Sequence, residues 1–354
     1  MSLQRAMKAM SGIPTDRVAQ MEFLSHAGFF RQVTGLDPYT QTFEAFLAFL
    51  EYFDVDATLI ADLGPPSLRD GQTRNDQHLT YAAWGLRETA WVRDPLFKTP
   101  DEILALDPAV FDKRSLQQKI DSFCADYERQ RAAFGGRALL VPGQYQLVLH
   151  YATSWCDWAI FLELLALDVD KCRPLFDRCM NYTIEIFQAF AASSAPIIIA
   201  HEDLCSARGP IFSPDFLRRE VFPRFAQIYE PVKKVGKKVL AVSDGLIEPI
   251  AADLVAAGAD GLFIEPMNDI DRMIGVVGAK GILVGGGNTR TLTVGTPEQV
   301  QAEVRANMQK AKHLPGFFFC LAGEAPDNVP LENLHAYFDA CKRYGTNDKE
   351  CACD

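Results

Sequence analysis

Residues 238–266 read KVLAVSDGLIEPIAADLVAAGADGLFIEP, and this stretch constrains the fold more than any other in the chain. KVLAV is apolar and rich in branched residues, as expected of a strand buried on both faces, and it stops at Ser243, Asp244 and Gly245. A helical pattern follows over 247–257, Gly258 ends it, and a second apolar strand over 261–264 runs directly into Glu265. The unit is strand, helix, parallel strand, with each strand delivering a carboxylate at its carboxyl end. In sheets and barrels built from such units, ligands bind at that edge.

The same rhythm recurs through the chain. The pattern predicts an opening helix over 2–10 and strands over 18–23, 56–61, 137–141 and 196–200. The strands at 238–242 and 261–264 come next, followed by 281–284 and 316–321. Helical stretches separate most of them, and the last, 331–344, closes the pattern. Between 65 and 92 the rhythm breaks, and the alternation in RDGQTRNDQHLTYAAWGLRETAWV predicts a β-hairpin laid over one end of the molecule. Eight strands without a Gly-, Ser- or charge-rich linker predict a single (β/α)8 barrel over 1–345, with an N-terminal helical extension, a hairpin excursion after the second strand and a tail over 346–354.

Composition narrows the function. The chain has 354 residues, 48% of them hydrophobic, enough for a large core, and a formal net charge of -11 that argues against a nucleic-acid or acidic-membrane partner. No run approaches the roughly 20 apolar residues of a membrane span, and the opening MSLQRAMKAMSG lacks the apolar centre of a signal peptide, so a cytoplasmic location is expected. The nine cysteines are irregularly spaced and odd in number, a pattern of buried thiols rather than disulfides; Cys351 and Cys353 form a CxC pair at the tail.

The predicted strand ends gather Glu22, Asp62, His201, Glu202, Asp203, Asp244, Glu265, Asn288, Arg290, Cys320 and Glu324 into an acidic mouth. Carboxylates crowded in a pocket repel one another, so some are protonated, paired with a base such as Arg290, or bound to a cation. Protonation would provide a general acid, and His201 with carboxylates or Cys320 could hold zinc as a Lewis acid. Plainer roles stand beside these: helix caps for Asp203 and Asp244, a satisfied core histidine for His201, a buried inert thiol for Cys320. GGGNTR lacks the GxGxxG spacing of a dinucleotide site, but its glycines would let amides approach an anion, with Asn288 and Arg290 beside them; otherwise it is a tight turn. The aromatic and polar stretch PGQYQLVLHYATSWCDW, with Tyr145, suits a flat or partly apolar substrate.

Taken in order, HEDLCSARGPIFSPDFLRREVFPRF at 201–225, VSDG, GADGLFIEP, GGGNTR, GTPEQV and VPLENL give a sequence that resembles the uroporphyrinogen decarboxylase superfamily. The resemblance implies a (β/α)8 barrel whose active site lies at the carboxyl ends of the strands, and one of two activities: porphyrinogen decarboxylation, or methyl transfer linked to a corrinoid. The decarboxylase branch carries an N-terminal RQAGRY-like segment, whereas this chain reads MEFLSHAGFFRQVTG. Thiol-directed methyltransferases of the superfamily carry zinc on an HxC of the fifth strand and a Cys near the eighth; here those places read Val242, Ser243, Asp244 and roughly Glu324.

The resemblance therefore implies a methyltransferase acting between a small molecule and a corrinoid carried by a partner protein. Asp244, Glu265 and Asp203 are the expected catalytic groups. Glu202, Asn288, Arg290 and Tyr145 are expected to bind substrate. Zinc, if used, would take oxygen ligands from Asp244, Glu265 and Glu324, together with His201. The alternatives are a decarboxylase or other lyase using the same carboxylates, and a non-catalytic binding barrel.

Overall fold

In a computed structural model, residues 2–59, 66–76, 78–321, 323, 325 and 327–346 are described. Branched and aromatic runs with no polar interruption form the inner wall, a parallel barrel, because a strand covered on both faces can tolerate apolar side chains at every position. Seven strand segments pair in one parallel sheet: Ala19–Gln20, Phe317–Leu321, Ile282–Gly287, Gly261–Phe263, Lys238–Val242, Ile197–His201 and Gly143–Tyr145, in that spatial order. Ala57–Leu59 pairs with Leu139–Val141 in a second, two-stranded parallel sheet.

Pro142 joins the two sheets. Leu139–Val141 and Gly143–Tyr145 form the two halves of the third barrel strand, which pairs with the second strand before the proline and with the fourth after it. Lacking an N–H, Pro142 fits the point where the ladder changes partner, and its carbonyl still accepts from Ile199 N–H at 2.9 Å. The ring closes between the first and second strands through Asp56 N–H to Gln20 O (2.9 Å), Glu22 N–H to Ala57 O (3.0 Å) and a parallel bridge between Met21 and Ala57. The architecture is a single eight-stranded parallel β/α barrel, as the rhythm of the sequence predicts.

Side chains alternate along each strand between two cores. Ile197, Ile199, Leu240, Phe263, Val284 and Phe318 point into the barrel, where Ala6, Ala9 and Met10 of helix Ser2–Met10 join them and plug its amino end. Ile198, Ala200, Val239, Ala241, Leu262 and Leu283 point outward beneath the helices. Arg5 of the plugging helix is 8% exposed and pairs with buried Asp56 at 2.5 Å, tying the helix to the second strand.

The excursion after the second strand is a three-stranded antiparallel meander, Thr73–Asn75, Leu79–Trp84 and Arg87–Val92, rather than the two-stranded hairpin expected. Among the described residues no helix is long and apolar enough to cross a membrane. Described cysteines are free thiols, as their spacing suggests. Asp62, Glu324, Cys351 and Cys353 lie outside the described residues.

Candidate active site

The strand register aligns the candidate groups. Tyr145 stands opposite His201, His201 opposite Val242, and Val242 opposite Phe263, so these four occupy one level at the carboxyl end of the barrel. Asp203, Asp244 and Glu265 each follow two residues beyond that level. With a side-chain period of two, the barrel-facing direction set by Ile199, Leu240 and Phe263 passes to all three acids. Above the barrel core opens a cavity of about 340 Å3, whose wall includes Tyr145, His201, Ser243, Asp244 and Glu265. Phe23, Leu59, Val141, Ile199, Val242 and Phe263 make the rest of that wall largely apolar.

Asp203 is the hub. Its Oδ1 lies 3.1 Å from His201 Nε2, and its Oδ2 accepts from the Tyr145 hydroxyl at 2.6 Å. Asp244 Oδ1 approaches the same His201 nitrogen at 3.6 Å. Burial works against charge on His201, but hydrogen bonds to Asp203 and Asp244 outweigh it and hold the imidazolium up to about 9. Burial likewise opposes the Asp203 carboxylate, and the His201 and Tyr145 hydrogen bonds overcome it, lowering that acid to about 2. Burial and then the hydrogen bond to Asp203 push the Tyr145 hydroxyl well up. Glu265 is raised by burial, opposed by its hydrogen bond from Gly245 N–H, with repulsion from Asp244 and Asp203 adding to the rise.

The VSDG turn is fixed by close packing. Gly245 has φ 87°, and a Cβ there would lie 2.4 Å from the Ser206 carbonyl oxygen, so a larger residue does not fit. Its N–H donates to Glu265 Oε2 at 2.5 Å, linking the ends of the fifth and sixth strands. Buried Asn268 completes the link: its Nδ2 donates to Gly245 O (2.9 Å) and Glu265 O (3.0 Å), and its Oδ1 accepts from Ile247 N–H (2.8 Å). In sequence, PMNDIDRM suggests helix caps; Asn268 instead ties two loops together, a long-range role that no local pattern marks.

Several expected site residues are elsewhere. Glu202 does not face the cavity: one residue out of phase with His201 and Asp203, it turns into the helix layer and is 1% exposed. There it accepts backbone N–H groups from Leu147 (2.5 Å), Val148 (3.1 Å), Leu149 and His150 (3.0 Å), the start of helix Leu149–Trp155. Burial raises its carboxyl to about 7 against those four amides. Glu22 is out of phase in the same way and is buried against Tyr337, whose hydroxyl donates to it at 2.5 Å. Asn288 caps helix Thr289–Val294 through Arg290 N–H and donates to Glu303, while the Arg290 side chain is exposed and absent from the described cavity wall. Cys320 is a buried thiol, as its apolar surroundings suggest.

His150 went unnoticed in the sequence. Its Nδ1 lies 3.6 Å from Asp203 Oδ2 and, though buried, has no hydrogen-bond partner among the described residues. Burial lowers this imidazole, and the neighbouring His201 charge lowers it further against the pull of Asp203. Gln146, between Tyr145 and His150, takes φ 102°, a strained conformation for a residue with a side chain, while its N–H donates to His201 O at 3.0 Å. One ligand atom each from His201, Asp203 and Asp244 lies within 4.8 Å of the others. An imidazole and two carboxylates suit a divalent cation such as zinc, so the donor set fits one.

The model of the family described as "Uroporphyrinogen decarboxylase (URO-D)" matches residues 148–344, more than half of the chain. Among solved structures, the chain is similar to a methyltransferase from Methanosarcina mazei, with TM-score 0.68 and 18% identity, covering 97% of this chain and 98% of that one. It is also similar to a B12-independent methionine synthase from Shewanella sp. W3-18-1 in complex with selenomethionine, with TM-score 0.50 and 9% identity, covering 93% and 98% of the two chains. At such identities these likenesses describe the fold. No curated protein matches the chain. The match from the start of helix Leu149–Trp155 through the closing helix takes in the fourth to eighth barrel strands and both acids of the described cavity wall, Asp244 and Glu265, and by it this chain belongs to the uroporphyrinogen decarboxylase family.

Proposed function

We propose that this protein is an enzyme that moves a methyl group between a small molecule and a corrinoid carried by a partner protein. The observation that carries this reading is the placement of His201, hydrogen-bonded to Asp203, approached by Asp244 and set into the wall of a largely apolar cavity. A methyl ether or amine is a poor methyl donor because its leaving group is a strong base. A proton placed on the leaving atom as the carbon–heteroatom bond breaks removes that obstacle. The proton delivered is the one His201 Nε2 shares with Asp203 Oδ1: it turns from Asp203 to the leaving atom as the bond breaks, while the Tyr145 hydroxyl holds Asp203 through its other oxygen. The bond's electron pair stays with the leaving atom, which takes the proton, and the methyl group passes to the acceptor. Phe23, Leu59 and Phe263 keep water from competing at that carbon.

His201, Asp203 and Asp244 would hold a divalent ion in place of the His201 proton, with Glu265 close by. When bound, such an ion supplies Lewis-acid polarisation of the leaving atom. The departure from an RQAGRY-like segment and the absence of Lys and Arg from the described cavity wall argue against a porphyrinogen polycarboxylate as substrate.

The test incubates the protein with a corrinoid protein, methylated or reduced, and a panel of methyl ethers, thioethers, amines and their demethylated forms. Methyl exchange is expected, and His201→Gln is expected to slow it about 10²–10⁴-fold. No exchange in either direction across the panel would sink the proposal. Carbon dioxide release from a carboxylated compound by metal-free protein would favour the decarboxylase alternative.

A further inference from the structure

The charge and shape of the cavity restrict what can enter it. Its described wall has one basic side chain, His201, already matched by Asp203 and Asp244. Glu265 adds a further acid on the same wall, so acidic groups outnumber basic ones there. Arg290, the cation expected from the sequence, is absent from the described wall.

The acids are graded in depth. The His201 side chain is 17% exposed, whereas that of Asp244 is 63% exposed, so Asp244 meets an entering molecule first. Three aromatic rings stand on the same wall: Phe23 and Phe263 pack edge to face with centroids 6.1 Å apart, and Tyr145 sits against His201 with centroids 4.1 Å apart. Ring faces and carboxylates together attract an organic cation and repel an anion.

Resting on the methyl-transfer reading above, we infer that the site takes a methyl donor that also bears an ammonium group. The methyl-bearing part lies in the apolar cavity toward His201. The ammonium lies outward, between Asp244 and Glu265, and serves as the handle for recognition. The cavity volume of about 340 Å3 suits a compact molecule with one ring, far smaller than a tetrapyrrole.

Three compounds sharing one methoxyphenyl frame test this: 3-methoxybenzylamine, positive at neutral pH, 3-methoxybenzyl alcohol, neutral, and 3-methoxybenzoate, negative. Dissociation constants are measured by calorimetry on the purified full-length protein without any corrinoid partner. The amine is expected to bind about tenfold more tightly than the alcohol, with the benzoate weakest. Asp244→Asn and Glu265→Gln are each expected to shrink the amine's advantage over the alcohol to about threefold or less. An amine that fails to outbind the alcohol, including because neither binds, overturns the inference. So does a benzoate that binds as well as the amine, or an Asp244→Asn effect equal for amine and alcohol.

These results separate the two readings. A preference for the cation without methyl exchange would keep the ammonium recognition at Asp244 and Glu265 and remove the methyl-transfer reading, with the methyl donor it supplies. Exchange from neutral donors without preference for the amine would do the reverse.

Discussion

Glu22 carries a proton that the unfolded chain would give up. It is 1% exposed, hydrogen-bonded to Tyr337 and Gln20, and pushed by burial, against those bonds, from the usual carboxylate range to about 7. The unfolded carboxyl releases its proton near 4.5, so between these values the folded protein holds a proton that the unfolded chain lacks. Its contribution therefore favours folding below the lower value and is lost as pH rises through the upper one, amounting to about 3 kcal/mol across the window. Glu22→Gln should remove this dependence while keeping an acceptor for Tyr337. Urea unfolding at pH 5 and pH 8 should show the variant gaining about 3 kcal/mol on its parent between the two; equal differences at both would assign the proton elsewhere. Asp203 contrasts with Glu22 because its partners, His201 and Tyr145, stabilise the charged form strongly enough to outweigh burial.

At the level of the element, phase matters more than composition. His201, Glu202 and Asp203 are adjacent polar residues at one strand end, yet the first and third face the site and the second is buried among helices. The apolar run of Ile197, Ile198 and Ile199 before them reveals where the strand ends but not which face is inside, because both faces are covered. That is why the strands, the closing helix and the position of Asp203, Asp244 and Glu265 at the strand ends are legible in the sequence, while the outward turn of Glu202 and Glu22 is not. Asn268 and His150 escaped notice for a different reason: their partners are separated from them in the chain, at Gly245 and Ile247 for one and at Asp203 for the other. Glu202 acts as a positioning group for the segment carrying Tyr145 and His150. Glu202→Ala would leave four buried amides without their acceptor and should cost about 3 kcal/mol or more in urea unfolding, with Glu202→Gln costing less. The His150 and His201 ring signals in NMR spectra should shift in the alanine variant and return toward the parent in the glutamine one. Unmoved ring signals in both would make Glu202 a structural cap only.

Across the whole molecule, the barrel is closed unevenly. The fifth strand shares five aligned residue pairs with the fourth, whereas among the described residues the backbone pairing of the first and second strands consists of one bridge and two flanking hydrogen bonds. The second strand's other neighbour is only the first half of a strand that changes partner at Pro142. The helix plug at the amino end braces this weak side through Arg5 and Asp56. Seen as a set of cooperative units, the fourth to eighth strands form one block, and the second strand with Leu139–Val141 forms another that can detach first. In native-state hydrogen exchange, amides of Ala57–Leu59 should therefore open at lower free energy than those of Lys238–Val242; equal protection would mean that the barrel unfolds only as a whole. The acids of the cavity sit on the durable block, while Leu59 of its apolar wall sits on the labile one. Local opening would thus loosen one part of the apolar wall while leaving the charged centre in place.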